Sequence, residues 1–250
     1  MLIRLNRKRS TVPGIAVLLS LLLLQSGVVG AISVGQIDDF EDGTLQDWRM
    51  GIASVTTSHM TNISDGGPDG VGDNYLEVTS DSSLSFGGSR LTFFNQLQWT
   101  GDYTAAGITA IAMDLNNISS SEALNMRLAI DGGTGTNINR TGGVFASAAS
   151  ISLDSESGWT RAVFSLLPGD LISVSSPGGH TTGNDVQATL ANVLELRLLN
   201  SATPDWNGLP VTATLGVDNI HAVPLPPALA LFGSGLVVLL SRRRKQNLQS

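Results

Sequence analysis

The chain has 250 residues with 21 acidic and 14 basic side chains, a formal net charge of −7, and no cysteine. Zero cysteine excludes a disulfide framework, a thiolate nucleophile and sulfur metal ligands. All 21 acids lie between Asp38 and Asp218 beside only six arginines, so this body carries six minus 21, a formal −15, which argues against nucleic acid and anionic membrane surfaces as partners and in favour of cations.

The remaining basic residues mark the two ends. Arg4, Arg7, Lys8 and Arg9 form a positive region, Val12 to Leu24 is mostly apolar, and Val29-Gly30-Ala31 offers small residues for cleavage. That order predicts a secretory signal over residues 1–31. A retained membrane anchor is the alternative.

Between the ends, residues 32–222 show no 3.6-residue periodicity long enough for an amphipathic helix. Short runs rich in Val, Ile, Leu, Thr and Phe alternate with Gly, Asn, Asp and Ser, which predicts an all-β fold built as a β-sandwich. The first strand, Ile37 to Phe40, overlaps the acidic stretch Asp38-Asp39-Phe40-Glu41-Asp42, whose like charges repel unless solvated or sharing a cation. Trp48 repeats its face at Met50 and Ile52 and is expected in the core. Val55 to Ser58 continues an irregular strand. The loop Ser64 to Asn74 combines glycines with Asp65, Asp69 and Asp73, so its backbone can turn carbonyl oxygens inward.

Tyr75 to Thr79 alternates polar and apolar residues as a strand with one wet face, and Leu84 to Phe86 with Arg90 to Phe94 predicts a hairpin around Gly87-Gly88. Trp99 and Tyr103 lie among Gln96, Gln98, Thr100 and Asp102, where they are either a sugar-stacking surface or an ordinary strand-end contact. Ile108 to Leu115, Leu124 to Ile130, Trp159 to Leu166 and Val193 to Asn200 predict further strands, with Arg161 and Arg197 on solvated faces. Ser173 to Asp185 reads as one long surface loop. Trp206, in the loop Thr203 to Gly208, either contacts a ligand or anchors its loop. In the last strand, Ala213 to Val223, Asp218 shares a face with Gly216 and Ile220, where a buried acid needs a cation or several donors. His59, His180 and His221 stand apart and form no short-range zinc arrangement.

The segment 223–250 opens with Val223, Pro224, Leu225, Pro226 and Pro227, prolines that end the preceding domain. Ala228 to Leu240 is uncharged, and its thirteen positions reach about 20 Å as a helix, against about 30 Å of hydrocarbon. Arg242, Arg243, Arg244 and Lys245 follow and suit the cytoplasmic side of a membrane. A short C-terminal membrane helix over about 226–241 is expected. A helix packed on the soluble domain is the alternative.

Val223-Pro224-Leu225-Pro226, the run LALFGSGLVVLL and the block RRRK together resemble the sorting tail of the PEP-CTERM family of exported bacterial proteins, with Leu225 where that motif usually carries Glu. The resemblance covers about the last 25 residues. It implies a membrane-embedded exosortase as processing partner, passage through the inner membrane of a Gram-negative bacterium, transient anchoring, and a final place at the cell surface or in the extracellular matrix. A second resemblance spans the body: DDFEDGTLQDW, GVGDNYLEV and LGVDNIHAV look like the edge motifs of galactose-binding-like jelly rolls, the architecture of many carbohydrate-binding modules. It implies a jelly-roll β-sandwich with adjacent first and last strands. It also implies a structural Ca²⁺ held by Glu41, Asp73 and Asp218, with Asp39 as a substitute.

Enzyme chemistry finds no footing. Many acids are present with nothing to select a glycosidase pair, there is no GxSxG elbow, and no GxGxxG follows a strand into a helix. The expected function is a non-catalytic envelope or matrix protein processed through its tail. The alternatives are an exopolysaccharide-binding module using Trp99, Tyr103 and Trp206, and, behind it, an enzyme acting on surface polysaccharide.

Overall fold

The computed structural model describes residues 31–84, 87–118, 121–134, 141–175 and 182–224. Residues 1–30 of the signal expected over 1–31 lie outside these, as do Leu225, Pro226, the helix expected at about 226–241 and Arg242, Arg243 and Arg244. Among the described residues no helix is long and apolar enough to cross a membrane.

In chain order the elements are β1 (Ile37–Asp38), α1 (Ala53–His59), β2 (Met60–Ile63), β3 (Tyr75–Ser80), β4 (Thr92–Asn95), β5 (Ile108–Asn117) and β6 (Leu124–Thr134). They continue as β7 (Thr141–Ser147), β8 (Ile151–Leu153), β9 (Thr160–Ser165), β10 (Leu171–Ser173), α2 (Val186–Leu190), β11 (Val193–Asn200) and β12 (Ala213–Pro224). They form a β-sandwich of two antiparallel sheets. The first runs β2-β3-β12-β5-β9 with β1 also on β12; the second runs β10-β7-β6-β11-β4 with β8 also on β6. Ile37 pairs with His221, so the first and last strands lie side by side.

Alternation decides which side chains meet between the sheets. Leu76 and Val78 of β3, Leu124, Met126, Leu128 and Ile130 of β6, and Leu196 and Leu198 of β11 enter one continuous core. Phe40, Trp48, Phe93, Trp99 and Tyr103 join it from strand ends and loops. A smaller cluster of Ala129, Val144, Ala146, Val174, Leu199 and Trp206 lies apart from that core. Ala129 and Leu199 alternate with the inward residues of β6 and β11, so this cluster covers the outer face of the second sheet.

Two expectations are corrected. Val55 to Ser58, expected as an irregular strand, lies in α1, where the Thr57 and Ser58 hydroxyls satisfy themselves on the carbonyls of Ala53 and Ser54 four residues back and Thr56 Oγ1 ties the helix to Met50. Thr92–Asn95 pairs only with β11 among the described strands and Gly87–Ser89 is a 3₁₀ turn, while residues 85 and 86 of the hairpin expected around Gly87-Gly88 lie outside the described residues. The loop expected over Ser173 to Asp185, of which residues 176–181 lie outside the described residues, ends at the N-cap of α2, where Asp185 Oδ1 accepts Ala188 N–H at 3.0 Å. In β12 the register shifts between Asp218 and His221, with Asn219 at φ 50°. That bulge returns Ile220 and Ala222 to the core and leaves Asp218 facing outward with Gly216, not with Ile220.

Candidate functional site

Two adjacent phenylalanines in β4 must face opposite sides of the sheet. Phe93 enters the core, so Phe94 stands on the outer face, directly opposite Arg197 of β11. Arg197 was expected on a solvated face, yet only 9% of it is exposed. Its guanidinium lies 3.7 Å from the Trp206 ring centre and 5.2 Å from that of Phe94, and donates to the Trp206 carbonyl at 3.0 Å. Burial pulls its pKa below the ordinary value, and Glu195 opposes that pull. Arg197 Nη2 and Nε reach Glu195 Oε1 at 2.5 and 2.8 Å, and Gln96 donates to Oε2 at 2.7 Å. Arg49 in turn donates to Gln96 Oε1 at 2.6 Å and lies 5.4 Å over Phe94.

Loops raise the walls around this ring. Backbone bonds in both directions between Arg49 and Phe94 lay the Arg49 segment beside β4, and Arg90 bridges to Pro210. Thr92 Oγ1 donates to the Asn207 carbonyl at 2.8 Å, bracing the Trp206 loop against β4. Between them is a pocket of about 160 Å³ lined by Arg90, Thr92, Phe94, Arg197 and Asn207, with Gly51 and Gly87 at its edge. An aromatic face, guanidinium and hydroxyl donors, and an amide are what a sugar ring needs for stacking and directional hydrogen bonds. Among the described residues no carboxylate lines it. A wider cavity of about 640 Å³ lies nearby, where Arg49 joins Asp42, Asp47 and Gln98.

The three aromatics expected to bind sugar are elsewhere. Trp99 and Tyr103 are fully buried and Trp206 is 1% exposed, so none presents a ring to solvent. Trp99 donates its indole N–H to Asp38 Oδ2 at 2.6 Å, Tyr103 donates its hydroxyl to the Trp99 carbonyl at 2.8 Å, and Trp206 is covered through Arg197. Burial pushes the Tyr103 phenol well above its usual value. Their polar sequence neighbours misled, because loops fold those rings inward. The residues that sequence reading missed are Arg49, Arg90, Thr92, Phe94 and Asn207, and the Phe93-Phe94 pair was the available signal.

The four carboxylates expected at calcium occupy the β12 side of the first sheet and its loops. Asp218 is 1% exposed, and Asn219 N–H and Nδ2 donate to it at 2.7 and 3.0 Å. Burial chiefly pushes its pKa up to about 7, with the charges of Asp73, Asp114 and Asp39 adding to the effect. Asp39 Oδ1 accepts Glu41 N–H at 3.3 Å, Asp73 Oδ2 accepts Asp69 N–H at 2.6 Å, and Glu41 Oε1 accepts Asn74 N–H at 2.7 Å. Phe40 and Thr44 carbonyls converge on Asn62 Nδ2 at 2.7 and 2.9 Å. Among the described residues no three His, Asp or Glu side chains gather as metal ligands. Asp39 and Asp73 thus act on Asp218 electrostatically, while Glu41 turns to Asn74.

No family model matches this chain, and no curated protein does. Among solved structures, an exo-β-agarase shares its fold over 76% of this chain and 24% of its own, with a TM-score of 0.51 and 13% identity. A family 11 carbohydrate-binding module from Clostridium thermocellum, solved with a β-1,3-1,4-mixed-linked tetrasaccharide, matches 78% of this chain and 98% of its own, with a TM-score of 0.46 and 17% identity. A carbohydrate-binding module of family 28, specific for non-crystalline cellulose, matches 77% and 95%, with a TM-score of 0.42 and 12% identity. The chain therefore has the sandwich fold found in about a quarter of that agarase.

Proposed function

We propose that this chain is an exported, non-catalytic glycan-binding protein of the cell envelope or extracellular matrix, its body a jelly roll that binds exopolysaccharide through the outer face of the second sheet. The observation that carries this reading is the pocket at Phe94, where an outward aromatic ring is walled by Arg90, Thr92 and Asn207. Its chemistry supports binding rather than hydrolysis: a glycosidase needs two carboxylates about 5 to 9.5 Å apart across the bond, and the described lining residues include none. Glycan arrays on residues 32–224, followed by titration calorimetry on any positive, test the reading. Failure to bind any neutral or acidic polysaccharide overturns it.

The order of proline cluster, apolar run and arginine block supports sorting by an exosortase-like membrane enzyme. Its test is fractionation of cells making the intact chain or one ending at Pro224, which preserves β12. An identical final compartment and mass for the two would remove the tail's sorting role. For calcium, the support is that the charges of Asp73 and Asp39 act unfavourably on the buried Asp218 carboxylate, an effect a divalent cation would reverse while tying β1 to β12. Glu41 completes the proposed ligand set.

A further inference from the structure

The body carries a formal −15, from six arginines against 21 acids. Three of those six, Arg49, Arg90 and Arg197, gather around Phe94. They are not equivalent. Arg197 is buried and its charge is met by Glu195 at 2.5 Å. Arg49 is engaged by Gln96, a neutral side chain, at 2.6 Å. Arg90 is exposed, and its guanidinium makes no ion pair or side-chain hydrogen bond with another described residue. Its backbone is nevertheless fixed by the bridge to Pro210, at a pocket whose floor is aromatic and whose described lining residues include no carboxylate.

A cation with no counter-charge among the described residues, anchored by its backbone at a pocket whose described lining holds no carboxylate, has an obvious complement. Resting on the glycan-binding reading, we propose that the sugar taken by this pocket is anionic, with a carboxylate or sulfate ester pairing with Arg90 while the ring lies against Phe94. The volume of about 160 Å³ suits one sugar residue of a polymer more than a run of them. The rest of the body does not cancel this contact. At physiological ionic strength exposed charges more than about 8 Å apart are largely screened, so a contact at Arg90 is governed by its own surroundings. The same acidity denies an anionic polymer other landing places.

The test uses the intact chain in a neutral detergent and three probes: polygalacturonate for the carboxylate, dextran sulfate for the sulfate ester, and a neutral mixed-linked β-glucan. Affinity electrophoresis and calorimetry are run on the parent chain, Arg90→Gln, Thr92→Trp to fill the pocket, and Arg161→Gln as a control on the other sheet. The expected result is binding of one or both anionic polymers, weakened about tenfold or more by Arg90→Gln and by Thr92→Trp and unchanged by Arg161→Gln. Which polymer binds assigns the anionic group. Binding of the neutral glucan alone, lost in Thr92→Trp but kept in Arg90→Gln, would overturn the anionic assignment and leave the glycan-binding reading intact. Anionic binding unchanged by either pocket substitution would overturn the site, and no binding to any polymer would overturn both readings.

Discussion

Asp38 Oδ2 accepts the indole N–H of Trp99 at 2.6 Å, in the interior, sixty-one residues away along the chain. The same oxygen accepts the Trp48 indole at 2.7 Å, so one carboxylate at the start of the domain fixes two core tryptophans whose ring centres are 6.3 Å apart. Burial raises the Asp38 carboxyl, and the hydrogen bonds from Trp99, Trp48 and Gln98 oppose that rise. The side chain opens the acidic stretch of the sequence, yet its role is to close the core.

Removing it should therefore strand two buried donors. Asp38→Ala is expected to cost about 3 kcal/mol, from two unsatisfied indole N–H groups at about 1–3 kcal/mol each with partial relaxation. Asp38→Asn, which keeps an acceptor oxygen, should cost less. Urea unfolding followed by tryptophan fluorescence measures both; equal losses would mean that the hydrogen bonds contribute little.

Asp218 sets a pH dependence. Its folded pKa of about 7 stands above the ordinary 3.8, so the folded chain holds a proton that the unfolded chain releases. Its contribution is fully present below about pH 4 and is lost as pH rises through about 7. In chelator, Asp218→Asn should flatten that decline and leave the chain about 2 kcal/mol more stable than the parent at pH 8. Saturating calcium should raise the parent's thermal midpoint, and magnesium much less. Equal midpoints in calcium, magnesium and chelator would eliminate the ion. A calcium effect that survives Glu41→Ala with Asp218→Ala would reassign its ligands.

Gly132 is required where β6 passes α2. A Cβ there would lie 2.5 Å from the Asn192 carbonyl oxygen and 2.6 Å from that of Thr189, both backbone atoms that cannot swing aside. Gly132→Ala should lower stability by about 1–3 kcal/mol. The denaturation midpoint should fall with an unchanged slope; a neutral result would show that α2 shifts freely.

Phe94 and Trp206 separate binding from packing. Phe94→Ala should reduce glycan affinity about tenfold with little loss of stability, since the ring is half-exposed. Trp206→Ala should cost about 3–5 kcal/mol by emptying the space over Ala129, Leu199 and Arg197. Trp206→Phe, which retains most of that filling, should keep glycan binding. Loss of binding in Trp206→Phe with an undiminished thermal midpoint would return Trp206 to the site.

The sequence by itself determined the long strands, because alternation is a local property: β5, β6, β9, β11 and β12 all begin within a residue of where their patterns start. It also identified Trp48 as core. It implied, through the edge motifs, the adjacency seen between Ile37 and His221. Tertiary structure alone decided what lies over each face. Trp99, Trp206 and Arg197 are buried by segments distant in the chain, and the bulge at Asp218 turns a side chain that strict alternation would have placed with Ile220. The Phe94 pocket is of the same kind: Thr92 and Asn207 meet across 115 residues, and an outward phenylalanine becomes a floor only once another loop builds the wall beside it.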